Sequence, residues 1–233
     1  MKTIDVCLSP ELIHLYDLKD RTVVVVDILR ATSCMVTALA HGAESITPFA
    51  SLEECLKMKL KGYITSGERD GKKVDGFDKG NSPFEYTGEQ VQGLKIAFTT
   101  TNGTQAIEKS KGAKEIIIGS FLNLTSVAKY LLMSPNNALI VCAGWKGKIN
   151  LEDTLFAGAL VEKLKEFLGP DCDAPLAAQH LYNVAKHDMV NFLNASSHVK
   201  RLNKLNIHND IAFCVTPDQY QILPRLRNGV LIA

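Results

Sequence analysis

Four short segments of the sequence hold most of the groups that could bind anions and cations. Asp27 and Arg30 close an apolar run led by Val23, Val24, Val25 and Val26. Glu68 and Arg69 stand among Gly67, Asp70 and Gly71, and a Lys79-Gly80-Asn81-Ser82-Pro83 stretch follows. Thr99, Thr100, Thr101, Asn102, Gly103 and Thr104 form the third segment, and Cys142-Ala143-Gly144 with Leu151, Glu152 and Asp153 the fourth. A carboxylate at the end of a buried strand can hold Mg²⁺, a hard cation that takes oxygen ligands and often needs only one or two protein carboxylates. Hydroxyls and open backbone N–H groups at a strand-to-helix turn suit an anion at the positive end of the helix dipole.

Each segment also has a bland reading. Asp27 and Arg30 equally read as a structural pair near a strand end. Thr101 or Asn102 reads as a helix N-cap with Gly103 in the turn. Glu152 and Asp153 fit the first turn of a helix capped by Asn150, where acids are favoured by the dipole alone. Glu68 and Arg69 read as part of a solvated charged loop, and Asn81-Ser82-Pro83 as a plain turn. On the functional reading Arg69 clamps an anion with its planar fork while Glu68 holds metal or orients water.

In order, the motifs DILRAT, GERDGKKVDGFDKGNSP, TTTNGT and CAG with LED downstream resemble the 2-phosphosulfolactate phosphatase family along nearly the whole chain. The resemblance implies a magnesium-dependent hydrolase that removes phosphate from a small sulfonated hydroxy acid on the route to coenzyme M. The resemblance marks the motif positions, and the residue types there make Asp27, Glu68, Glu152 and Asp153 candidate metal ligands, with Asp27, Glu68 and Asp153 in the chemistry. Arg30, Arg69, Asn81, Ser82 and the turn from Thr100 to Thr104 become candidates for the anionic groups of a small phosphorylated substrate.

Other chemistries lack their motifs. There is no Gly-x-x-x-x-Gly-Lys-Ser/Thr loop, no Gly-x-Gly-x-x-Gly after the first strands and no His-Glu-x-x-His. Cys142 is followed six positions later by Lys148 rather than Arg, and Asp27 lacks a second Asp two residues on. The histidines His14, His41 and His180 read as surface or core residues without a catalytic task. With 26 Lys and Arg against 25 Asp and Glu, no global field draws the chain to nucleic acid or a membrane surface. Six Cys without a Cys-x-x-Cys pair read as small apolar residues in a reduced compartment, and cytoplasmic location is the expectation. A homodimer is a common state for a metabolic enzyme of this size.

The elements that must position these groups alternate. Strands are expected at 3–8, 22–28, 95–99, 115–119 and 139–143, short apolar stretches among which the four valines are the clearest β-branched run. Helices are expected from Pro10 to about Tyr16 with Ser9 as cap, at 31–41 ended by Gly42, after Ser51 with Glu54 completing a capping box, and at 104–111, 125–133 and 151–168. Periodicity vanishes between Tyr63 and Gly93, which marks a functional loop. Beyond Gly169-Pro170 the chain reads as helical to about Asn206, with late strands at 210–215 and 229–232. The pattern predicts one domain, 1–233, built as a three-layer α/β/α sandwich on a largely parallel or mixed sheet.

Overall fold

The valine run is apolar throughout because its residues alternate between two buried layers. Val24 and Val26 pack into one core cluster with Ile140 and Cys142, while Val23 and Val25 pack into another with Leu139 and Val141. A computed structural model describes residues 2–233. Its strands are β1 (Lys2–Cys7), β2 (Arg21–Val26), β3 (Ser45–Pro48), β4 (Ile64–Arg69), β5 (Lys72–Lys73), β6 (Lys95–Thr99), β7 (Glu115–Gly119), β8 (Asn137–Cys142), β9 (Leu168–Pro170), β10 (Arg225–Arg227) and β11 (Val230–Ile232). The helices are α1 (Ala31–Ala40), α2 (Leu52–Lys57), α3 (Gly103–Lys109), α4 (Leu124–Met133), α5 (Leu151–Leu164), α6 (Asp173–Ala185), α7 (Met189–Leu193), α8 (Ser197–Asn203) and α9 (His208–Cys214).

All strands join one mixed sheet in the order β5-β4-β6-β3-β11-β10-β7-β2-β8-β1-β9. Residues of α4, α5 and α6 cover the face of Val24, and residues of α1 and α3 the face of Val23. The three-layer α/β architecture expected from the alternation is therefore present. Within the sheet, β7, β2, β8, β1 and β9 form one parallel block, and β4, β6 and β3 another. The antiparallel hairpin β10–β11 joins them, meeting β7 at Arg225↔Ile117 and β3 at Leu231↔Ile46.

By strand sense the two blocks run opposite ways, so an untwisted sheet would send their C-terminal ends to opposite edges. From β2 to β4 there are six strand steps, and the usual twist of about 20–25° per step accumulates to about 120–150°. The C-terminal ends of both blocks thus approach one region.

Several local expectations hold. Ser9 Oγ accepts from the N–H of Glu11 ahead of a 3-10 turn at Pro10–Leu15, and Ser51 Oγ accepts from the N–H of Glu54 at the start of α2. Three readings are corrected. Residues 64–69, taken as part of an aperiodic loop, form β4, which pairs with β6. Its polar side chains find partners in the segment beyond β5, as Thr65 Oγ1 donates to Asp78 Oδ2 at 2.8 Å and Ser66 Oγ to the Gly80 carbonyl at 2.9 Å. The long helix stops at Leu164, and Leu168–Pro170 becomes β9, an edge strand where a proline costs no ladder bond. Residues 208–214 are helical rather than extended, with Asp210, Ile211 and Cys214 buried on one face.

Candidate active site

Asp27 follows directly on β2, and the register Val26↔Gly119 and Val26↔Cys142 holds that strand end against both neighbours. Its backbone is fixed by Thr32, whose Oγ1 accepts from the Asp27 N–H and donates to the Asp27 carbonyl, each at 3.0 Å. The side chain lines a cavity of about 110 Å³ together with Arg30, Glu68, Asn81, Asn102 and His198. This lies outside the carboxyl ends of strands, where open α/β sheets bind ligands.

Glu68 is the penultimate residue of β4, and two backbone amides hold its carboxylate. Gly71 N–H donates to Oε1 at 2.6 Å and Thr101 N–H to Oε2 at 3.2 Å. The first of these bonds comes from a tight hairpin turn, with φ of +53° at Asp70 and +83° at Gly71. That geometry suits an Asp-Gly pair, a hairpin signal that the reading of this stretch as an aperiodic loop did not use.

The threonine-rich turn divides its tasks. Thr100 and Thr104 bond reciprocally, each Oγ1 accepting from the other's N–H at 3.4 Å, while Thr101 serves Glu68. Asn102 occupies the cap position of α3 without a side-chain cap bond; its Oδ1 instead accepts from Lys146 N–H at 3.3 Å. Gly103 has to be glycine for space, since a Cβ there would stand 2.8 Å from Asp27 Oδ2 and 2.7 Å from Ala31 Cβ. The turn and the acid are therefore in direct contact.

Arg30 is not paired with Asp27. It forms a buried ion pair with Asp210 of α9 and donates through Nη2 to the Gly71 carbonyl at 3.1 Å. Ser82 Oγ donates to the other oxygen of Asp210 at 3.1 Å, so Ser82 supports Arg30 and does not line the cavity. Asn81 does line it, with a buried Oδ1 that has no partner. Arg69 is turned aside. Its guanidinium donates to the Glu68 carbonyl at 2.6 Å and to Thr99 Oγ1 at 3.0 Å, and it is absent from the cavity wall.

Glu152 and Asp153 are both buried at the start of α5. Asp153 uses both oxygens on backbone amides, accepting from Ile28 N–H at 2.9 Å and Gly144 N–H at 3.0 Å, which ties the end of β2 to the end of β8. Glu152 pairs through Oε1 with His198 Nδ1, and its Oε2 is buried without a partner. Asn150 makes no side-chain cap; its amide sits 3.4 Å from His198 Nδ1. His198, Asp210, Trp145 and Arg201 escaped the sequence reading. Trp145 directly follows the Cys142-Ala143-Gly144 motif, which is the signal that could have found it. His198, Arg201 and Asp210 have no short-range spacing to the motifs, and the packing of α8 and α9 brings His198 and Arg201 to the cavity and Asp210 to Arg30.

Burial dominates the electrostatics. It pushes the Asp27 carboxyl up to about 7, helped by the nearby Glu68 and Glu152 and opposed by His198 and the Ala31 N–H. Burial likewise raises Asp153 well above the carboxylate range, with Glu152 and Asp27 adding to it. The thiols of Cys34 and Cys142 are pushed up by burial too, so both are protonated and inert as nucleophiles at neutral pH.

The Asp27 shift carries a sign for stability. The folded protein keeps a proton on Asp27 that the unfolded chain has released, so this group's contribution is full below about pH 4, falls as pH rises to about 7, and is flat above. With divalent cations chelated, the melting temperature of the wild type relative to Asp27→Asn should therefore drop between pH 5 and pH 8. A difference that stayed constant or rose would reject the buried, proton-holding acid.

The sequence pattern of the family described as 2-phosphosulpholactate phosphatase matches residues 7–229, a span that contains every group above. The chain belongs to this family. Curated relatives agree over nearly their full length. A probable 2-phosphosulfolactate phosphatase of Thermotoga maritima is 47% identical over 213 residues, covering 91% of this chain and 92% of the relative. One of Caldanaerobacter subterraneus is 41% identical over 220 residues, covering 92% and 91%, and one of Clostridium tetani is 36% identical over 232 residues, covering 98% and 99%. As a member of the 2-phosphosulpholactate phosphatase family, the chain is a phosphoric monoester hydrolase by class. Among the described residues no helix is long and apolar enough to cross a membrane.

Proposed function

We propose that this protein hydrolyses 2-phospho-3-sulfolactate to 3-sulfolactate and inorganic phosphate with the help of Mg²⁺. The observation that carries the reading is the meeting of Asp27, Glu68 and the buried Arg30 in one cavity beside the Thr100–Gly103 turn. Family membership supplies the substrate. A second reading, the same chemistry on another small phospho-acid, keeps the site and changes only the groups beyond the phosphate.

The residues fit a cation. Asp27 is held above its ordinary range by burial and by neighbouring acids, and Glu152 Oε2 is an orphaned buried oxygen. Among the described residues no set of three or more His, Cys, Asp or Glu side chains forms a protein-only cage. Mg²⁺ does not need one, since one or two carboxylates plus water and substrate phosphate complete its shell. Asp27 and Glu68 are the proposed ligands; the third acid on the cavity wall, Asp70, is ion-paired with Lys146 at 3.2 Å. Asp153 does not line the cavity and positions the two strand ends, and Glu152, also off the wall, orients His198. When bound, the cation neutralises phosphate charge in the transition state.

The chain's own groups do the rest. Arg30 faces the phosphate oxygens with its fork fixed by Asp210 and Gly71, while the Asn81 amide and His198 offer hydrogen bonds from the other walls. Such fixed donors stabilise developing charge without reorganising. In the net reaction a water oxygen bonds to phosphorus, the bond from phosphorus to the C2 oxygen breaks, and the proton that the water gives up ends on that oxygen, which leaves as the hydroxyl of sulfolactate. Buried thiols at Cys7, Cys34, Cys55, Cys142 and Cys214 support a reduced, cytoplasmic setting. A homodimer remains our proposal for the assembly, tested by native mass.

The reading is tested by metal removal. Chelation should abolish phosphate release from 2-phosphosulfolactate and Mg²⁺ should restore it, because without the cation the wall acids repel the substrate. Full activity after exhaustive chelation would sink it.

A further inference from the structure

The cavity wall contains one guanidinium without a counter-charge. Arg30 is paired with Asp210 and Arg69 is spent on Glu68 and Thr99 outside the cavity. Arg201, on the cavity wall, makes no ion pair among the described residues; its Nη1 donates to Ser197 Oγ at 3.4 Å, and its Nη2 is buried with no partner. Leaving a buried donor of a charged group unsatisfied is costly, so the site is built for something to accept from it.

Arg201 is also held in place. Its guanidinium lies over the Trp145 ring at 4.5 Å from the centroid, and Trp145 packs at 5.9 Å from the His198 ring. His198 and Arg201 are three residues apart on α8 and so project from one face of it. Val199 and Leu202 of that helix are buried in the core, which anchors the helix that carries Arg201 to the cavity wall. Lys146, the other cation on the same ring, is already engaged by Asp70 at 3.2 Å.

We infer that Arg201, stacked on Trp145, recognises the second anionic group of the substrate, the carboxylate or sulfonate, and thereby sets specificity for multiply charged phospho-acids over plain monoesters. The inference rests on the phosphatase reading for the substrate but not for the binding. A planar fork meets either oxyanion with two parallel hydrogen bonds, which an ammonium cannot do. Arg30 and the cation site serve the phosphate; Arg201 serves the remainder of the molecule.

Trp145 is the single tryptophan of the chain and lies under the guanidinium, so its emission reports on Arg201 directly. Titration with 3-sulfolactate should change Trp145 emission saturably. In Arg201→Met the dissociation constant should rise about tenfold or more, with Arg201→Lys in between and still folded should the Met variant not be. Inorganic phosphate should bind all three proteins within about twofold. In turnover, Arg201→Met should raise KM for 2-phosphosulfolactate about tenfold or more while leaving kcat and KM for p-nitrophenyl phosphate within about twofold. Phospholactate, which lacks the sulfonate, separates the two oxyanions: an undiminished Arg201 effect assigns the side chain to the carboxylate, and a lost effect to the sulfonate. Equal losses for every ester, or sulfolactate binding undiminished in both variants, would overturn the inference. Absence of phosphate release by the wild type would refute the phosphatase reading alone, because the fluorescence titration still decides Arg201.

Discussion

Asp27→Asn should lower turnover of the phosphorylated substrate by about 10²-fold or more without harming the fold. Asparagine keeps the shape that fits against Gly103 and Ala31 but removes the charge that faces the cavity. Burial penalises that charge, so at pH 8 with divalent cations chelated the variant should melt at the same temperature as the wild type or higher. Loss of activity with gain of stability distinguishes a functional acid from a structural one. Cys34→Ser and Cys142→Ser should each retain substantial activity, since burial keeps both thiols protonated. Activity of Asp27→Asn within a few-fold of wild type, or a folded but dead Cys142→Ser protein, would reverse this ranking.

Asp210→Ala should cost about 3–5 kcal/mol of stability, because it strands the buried Arg30 guanidinium without its counter-charge. Ser82→Ala removes only one hydrogen bond to the same carboxylate and should cost about 1 kcal/mol. The double variant Asp210→Ala with Arg30→Met removes both charges and should regain most of the lost stability but no activity. Urea denaturation gives all three numbers. A loss under about 1 kcal/mol for Asp210→Ala would show that the pair is dispensable and that Arg30 is held by Gly71 alone.

How much of this was legible in the sequence depended on whether the signal was local. Val23 to Val26 announced a strand buried on both faces, and its two faces do divide between the two core clusters. Lys95–Thr99 and Glu115–Gly119 match the expected strands to the residue, because short apolar runs, Ile96-Ala97-Phe98 and Ile116-Ile117-Ile118, bounded by polar residues leave little choice. β4 was hidden because Thr65, Ser66 and Glu68 are buried polar residues whose partners, Asp78, Gly80 and Thr101, are supplied by other segments. The run Ile211-Ala212-Phe213-Cys214 mimics a strand, and only the packing of Asp210 against Arg30 makes its helical face visible. For the site, the motifs located Asp27, Glu68, Asn81 and Asn102 on the cavity wall, whereas Arg69 and Ser82 proved to brace it from behind. His198 and Arg201 lay beyond reach, since their partners Glu152 and Trp145 are tens of residues away.

The hairpin that joins the two parallel blocks sets an order on biosynthesis. β10 and β11 follow every other strand in the chain, yet they sit in the middle of the sheet and touch each block through a single pair of residues. A ribosome releasing this chain has therefore delivered both blocks before it delivers the seam. Until then β7 and β3 each present an unpaired edge, the kind of surface on which nascent strands associate with the wrong neighbour. Because Asp27 belongs to one block and Glu68 to the other, that seam is what makes the two walls of the cavity parts of a single sheet.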